Sequence, residues 1–120
     1  MNIAITSVDR DLSSALDPRF GRAKYFIIVD SETMSYRVVE NEQNLNLPQG
    51  AGIQAGKTIV ENNVDVLITG NCGPKAFKVL ESADIDVIIG AKGSVKDVVS
   101  QYKAGELQPT DNANVEGHWI

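Results

Sequence analysis

Residues 64–90 read VDVLITGNCGPKAFKVLESADIDVIIG, and the order of their segments decides the fold. Two continuous apolar runs, VDVLIT from Val64 and IDVIIG from Ile85, have the composition of strands buried on both faces of a sheet. Between them Pro74 opens PKAFKVLESA at a first helical position, where its missing amide hydrogen has no partner to lose. Ala76, Phe77, Val79 and Leu80 form the apolar side of that helix. Strand, helix, strand at this length is a right-handed crossover between parallel strands, and strands buried on both faces require helices on both faces.

Working outward, Ser94 starts SVKDVVSQYKAG with Asp97 three residues on, a capping-box spacing. Val95, Val98, Val99 and Tyr102 repeat at helical intervals, and Gly105 supplies the stop. Toward the N-terminus, NIAITS (2–7), KYFIIVD (24–30) and YRVVEN (36–41) read as strands, the last two joined by the polar turn SETMS as an antiparallel hairpin. A third helix fills residues 51–62. The expected architecture is α/β: three layers around a mixed five-stranded sheet, with right-handed crossovers after the hairpin. From Glu106 onward, ELQPTDNANVEGHWI has no periodicity and reads as an extended tail.

The chain has 120 residues, enough for one domain around one core. Its 11 basic and 16 acidic side chains give a net charge of -5, which argues against nucleic-acid backbones or anionic membranes as partners, while leaving small anions that need only a local site. The start, MNIAITS, has no signal-peptide pattern, and no apolar run approaches the ~20 residues of a membrane span, so a cytoplasmic protein is expected. One cysteine, Cys72, excludes an internal disulfide and an all-cysteine metal cage built by one chain.

Residues 51–58, AGIQAGKT, satisfy a loose phosphate-loop pattern through Ala51, Gly56, Lys57 and Thr58. Such a loop follows a buried strand, whereas NEQNLNLPQG precedes it here; the aspartate that would hold magnesium at the end of a later strand is replaced by Thr69-Gly70. A helix starting near Gly50 with Ile53, Gly56, Ile59 and Val60 on one side fits better, and no nucleotide is expected.

Four stretches, DPRFGRAKYFIIVD (17–30), GAG (50–52), VDVLITGNCGPKAFKVLESADIDV (64–87) and GSVKDVVSQYKAGEL (93–107), together resemble the dinitrogenase iron-molybdenum cofactor biosynthesis family. The resemblance covers residues 1–107 as a domain and leaves 108–120 as a C-terminal tail, whose NVEGHWI is similar to an ending found in part of the family. It implies a ribonuclease H-like fold and a non-enzymatic protein that carries or inserts iron-sulfur or molybdenum/iron-sulfur cofactors or their precursors. A cluster-assembly or cluster-accepting protein is then the implied partner, with the chain itself a monomer or weak homodimer. Nitrogen-fixation carriers of the family tend to have histidine near the FGR segment, where this chain has Arg19.

In a sheet centred on the first and fourth strands, the loops 17–22, 50–52 and 70–74 converge at strand ends, where open α/β sheets hold ligands. The candidate cofactor-binding residues are Arg19, Phe20, Gly21, Arg22, Gly50, Ala51, Gly52, Gly70, Asn71, Cys72 and Gly73. Glycines admit close approach, the helix starts near Gly50 and Gly73 present amide hydrogens, and the arginines add positive charge. Cys72 as a thiolate and His118, the only histidine, are the candidate metal ligands. The competing readings are surface ion pairs for the arginines, a small buried turn residue for Cys72 and a solvated tail residue for His118.

Two other functions use different residues. A cofactor-free regulatory or adaptor module would act through a sheet edge or the tail, with Trp119 and Ile120 as apolar contacts. A metal-dependent nuclease would need Asp9, Asp30, Asp65 and Asp86 to converge, although they flank separate strands.

Overall fold

The computed structural model describes residues 1–41 and 50–110. Its elements run β1 (Asn2–Ser7), β2 (Tyr25–Asp30), β3 (Tyr36–Glu40), α1 (Ala51–Glu61), β4 (Val66–Ile68), α2 (Pro74–Ser82), β5 (Asp86–Ile88) and α3 (Val95–Lys103). The sheet order is β3-β2-β1-β4-β5, antiparallel on the β2–β3 side and parallel from β1 through β4 to β5. This is the expected mixed five-stranded α/β architecture, and it puts β1 in the middle, pairing Ile5 with Ile27 on one side and Ile68 on the other.

Strand alternation divides the core in two. Ala4, Phe26, Ile28, Leu67 and Val87 face α1 and α2, meeting Ala55, Ile59, Ala76, Phe77 and Leu80. Ile3, Ile5, Ile27, Val29, Ile68 and Ile88 face the other way, onto Val95, Val98 and Val99 of α3. A one-residue slip of β1 would exchange these sets, so two-sided burial fixes the register.

The C-terminal ends of β1, β4 and β5 lie together, and α1 and α2 both begin at that end of the sheet. Pro74 is the first residue of α2, Ser94 Oγ accepts the amide of Asp97 to cap α3, and Gly105 follows that helix at φ 78°. The long β1–β2 loop is tied across to β3 by Arg10, which pairs with Glu40 at 2.8 Å and lies over the Tyr25 ring at 4.8 Å.

Two details differ from the sequence expectation. β4 and β5 keep only their central three residues as paired strand, because past Ile68 and Ile88 the chains turn into the loops around Gly70 and Gly90. The inward face of α1 is Ala51, Gly52, Ala55, Gly56 and Ile59, and Val60 is 38% exposed. The face is rotated because α1 lies so close to α2 that small residues are required: a Cβ on Gly56 would stand 3.1 Å from Val79 Cγ1. Among the described residues, no helix is long and apolar enough to cross a membrane.

Candidate functional site

The loops leaving β1 and β4, together with the start of α1, form one junction. Thr6, in β1, is buried; its amide carbonyl accepts the Asp17 amide at 2.9 Å and its hydroxyl donates to Asp17 O at 2.6 Å. Thr69, just past β4, meets the same hydroxyl at 2.8 Å. Two threonines at neighbouring strand ends thus hold the start of the 17–22 loop and satisfy each other in a dry environment, where an unpaired hydroxyl would be expensive.

From there the 17–22 loop runs beside the 70–73 loop. Asn71 N donates to Pro18 O at 2.7 Å, Phe20 N donates to Asn71 O at 3.2 Å, and Asn71 Nδ2 adds a bond to Pro18 O at 3.1 Å. The approach is as close as backbone permits, since a Cβ on Gly70 would stand 2.7 Å from Pro18 Cα. Asp17, nearly buried, turns its carboxylate to the Arg19 amide at 3.0 Å.

The third side is α1. A Cβ on Gly21 would lie 2.9 Å from Gly52 N and 3.1 Å from Ala51 C, so the FGR loop sits directly against the first turn of α1. Asn41, buried at the end of the hairpin, donates from Nδ2 to Gly21 O at 3.1 Å and to Ala23 O at 2.8 Å. The glycines at 21 and 70 therefore have a local reason: each removes a side chain from a contact between two backbones. Asn41, Thr6 and Thr69 were not singled out by sequence; a buried amide after a strand and paired threonines at strand ends carry little signal until the strand order is known.

The candidate residues separate into outward and inward groups. Arg19 is exposed, and Arg22, Gly50 and Asn71 are half-buried. Phe20 and Cys72 are fully buried in the core under α1 and α2, the Phe20 ring 5.7 Å from that of Phe26. Burial pushes the Cys72 thiol up to about 12, and Sγ lies 3.7 Å from Gly73 O. Desolvation outweighs the nearby helix start, so in this conformation Cys72 is a neutral packing residue. His118, Trp119 and Ile120 lie outside the described residues.

The electrostatics of the helix starts are specific. α1 begins at Gly50 and α2 at Gly73; neither start has a side-chain cap or an acidic residue in its first turn. α3, which packs on the other face of the sheet and starts against residues 14–16, has both, Ser94 as cap and Asp97 in the first turn. The two positive helix ends at the junction are thus left without a carboxylate from their own first turns, beside Arg19 and Arg22. Residues 51–58 form continuous helix: Lys57 is exposed on α1 and Thr58 Oγ1 donates to Gln54 O at 3.1 Å, the geometry of a mid-helix threonine.

Two cavities of about 250 Å³ lie elsewhere, one on Asn2, Asp30 and Arg37 at the opposite end of the sheet, the other between α1 and α2 at Val60 and Val79. Neither gathers glycine loops and helix starts. The four nuclease carboxylates do not converge as a set: Asp30, Asp65 and Asp86 lie at the end of the sheet where β1 starts, while Asp9 follows the far end of β1. Among the described residues, no group of three or more His, Cys, Asp or Glu side chains is placed to hold a metal ion.

This geometry is shared with known proteins. The chain superposes on the apo form of the orange protein from Desulfovibrio gigas with a TM-score of 0.91, at 36% identity, covering 95% of this chain and 96% of that one. It also matches the NMR structure of a Thermotoga protein of the DUF35 family, with a TM-score of 0.73 at 33% identity, covering 90% and 91% of the two chains. An uncharacterized protein of Methanocaldococcus jannaschii is 29% identical over 99 residues, 80% of this chain and 83% of that protein. The family model for the dinitrogenase iron-molybdenum cofactor matches residues 1–105, and the chain belongs to that family.

Proposed function

We propose that this protein binds and passes on an anionic metal-sulfur cofactor, or a precursor of one, at the junction of the 17–22, 50–52 and 70–73 loops, without catalysing a reaction on it. The observation that carries the reading is the pair of helix starts, at Gly50 and Gly73, left without an acidic first turn beside Arg19 and Arg22. Amide hydrogens, two helix dipoles and two guanidinium groups suit the surface oxygens or sulfurs of an anion. Membership of the iron-molybdenum cofactor family supports the same ligand class. So does the similarity to a protein named for its colour and solved in its apo form, since an uncomplexed polypeptide absorbs no visible light.

A polynuclear anion held by charge and hydrogen bonds needs no protein thiolate, and this fits the buried Cys72. An iron-sulfur cluster would need protein ligands, for which Cys72 and His118 are the candidates. Thr110 N donates to Val87 O at 2.7 Å and its hydroxyl accepts from Ile89 N, next to Gly90, whose amide bonds Gly70 O. Thr110, the last described residue, therefore stands beside the junction. Holding cargo by few bonds suits release to a cluster-assembly or cluster-accepting partner.

Anaerobic mixing with tetrathiomolybdate, and separately with iron and sulfide, followed by desalting and visible spectroscopy, tests the reading. Retained colour that falls in Arg19→Ala/Arg22→Ala supports it; colourless protein in both arms removes it.

A further inference from the structure

The sheet ends in two edge strands, β5 and β3, which are finished differently. β5 is short and Thr110 closes its outer side, with Thr110 N donating to Val87 O at 2.7 Å and Thr110 Oγ1 accepting from Ile89 N at 3.4 Å. β3 is longer, and alternate residues make its hydrogen bonds to β2. Asp30 N donates to Ser35 O and Asn41 N to Lys24 O. In the register that pairs Ile28 with Arg37 and Phe26 with Val39, the main-chain groups of Arg37 and Val39 therefore point to β2, and those of Tyr36, Val38 and Glu40 point away from the sheet. Among the described residues, none of these outward amides and carbonyls has a hydrogen-bond partner. The usual protections of an edge are missing too: Tyr36–Glu40 contains no proline, glycine or lysine, and Tyr36, Val38 and Val39 favour strands. Its two charges are held within the chain, Arg37 by Asn62 and Glu40 by Arg10.

We propose that the outer edge of β3 is a pairing surface for a second copy of this chain, the two strands joining antiparallel about a two-fold axis at Val38 to make one continuous sheet. That register sets Val38 against its own copy and Tyr36 against Glu40 of the second copy. These are the outward positions, so every unpartnered amide and carbonyl of the strand gains a partner. Charge selects the register. An axis at Arg37 would oppose two guanidinium groups and an axis at Glu40 two carboxylates, whereas the axis at Val38 opposes no like charges and sets Arg37 against Val39. On the face that carries Tyr25, Ile27 and Val29, the central row across the joined sheet reads Ile27, Val38, Val38, Ile27, and the row on each side of it reads Tyr25, Glu40, Tyr36, Val29. Tyr36, 44% exposed in one chain, comes beside the Arg10–Glu40 pair of the other. The strand is thus complementary to itself, as a two-fold interface requires. Because the strands run antiparallel, the junctions, at the Ser7–Tyr25–Glu40 end of each sheet, lie at opposite ends of the pair.

The alternation along β3 supplies the test, read by NMR hydrogen exchange together with sedimentation velocity at about 50 µM and about 1 mM protein. Monomer should give way to dimer over this range, and the amides of Tyr36, Val38 and Glu40 should slow about threefold or more, as for a Kd of about 0.1 mM or tighter. The amides of Arg37 and Val39, bonded to β2, should exchange alike at both concentrations. Val38→Lys sets two ammonium groups together at the axis, so the folded variant should stay monomeric and lose the concentration dependence. Wild-type protein that remains monomeric at the higher concentration overturns the proposal, as does a dimer whose edge amides exchange as in the monomer. Edge amides already slow in the monomer, or a dimer undiminished in folded Val38→Lys, overturn it equally.

Discussion

A Cβ placed on Gly21 would stand 2.9 Å from the amide nitrogen of Gly52. That single distance joins two motifs thirty residues apart: FGR and GAG are the two halves of one backbone contact, through which the β1–β2 loop locates the start of α1.

Gly21→Ala is therefore expected to destabilise the protein by about 1–3 kcal/mol, because the atoms in its way are main chain and cannot move aside as a rotamer would. Gly70→Ala, facing Pro18 Cα at 2.7 Å and Pro18 O at 2.8 Å, should behave alike. Urea unfolding checks both; midpoints equal to wild type would mean that the loops do not pack as described.

Asn41 holds the same loop through two carbonyls, and Asn41→Ala should cost about 1–3 kcal/mol by removing the Nδ2 donor from a buried setting. Asn41→Asp should be worse at neutral pH, since a carboxylate has no hydrogen to offer Gly21 O and Ala23 O. The folded state would then favour the protonated acid, raising that carboxyl's pKa above its unfolded value. The deficit relative to wild type should shrink as pH falls toward about 4, where the neutral acid can donate. Urea titrations at several pH values read this directly.

Cys72 makes a prediction on the alkaline side. Its thiol is raised from 9.0 to about 12 by burial, so between those values the folded state keeps a proton that the unfolded state has lost. The stability due to the neutral thiol is complete below pH 9 and declines by about 1.4 kcal/mol per pH unit toward 12. Cys72→Ala should remove that component of the alkaline slope. Iodoacetamide should label the native thiol at pH 8 at least about 100-fold more slowly than in urea, and equal rates would show an accessible sulfur.

Lys57→Ala and Thr58→Ala test whether the phosphate-loop pattern of residues 51–58 has any part in binding. As mid-helix changes on α1 they should move stability by no more than about 0.5 kcal/mol and leave dianion uptake unchanged. Loss of uptake in Lys57→Ala would place the ligand further along the helix than the junction.

The fold was legible where periodicity is strong. The run from Val64 to Gly90 declares strand, helix and strand, and α3 carries its cap, stripe and stop in sequence. The inward face of α1 was less legible, because its packing depends on how little space Ala51, Gly52, Ala55 and Gly56 occupy, and hydrophobicity favoured Val60 instead. The meeting of the three loops follows from the strand order. The roles within them do not: Gly21 and Gly70 are spacers between backbones, Phe20 is an anchor, and Asn41 and Thr69 become visible only when neighbours from other strands are in place.

The anion reading stands or falls on equilibrium uptake of tetrathiomolybdate by the wild-type protein and Arg19→Ala/Arg22→Ala, measured anaerobically at about 0.1 M salt with urea midpoints for both. The account predicts a saturable coloured complex in the wild type and affinity about tenfold or more weaker in a double variant that remains folded. Equal affinity in the two folded proteins, or no complex in the wild type, would contradict it.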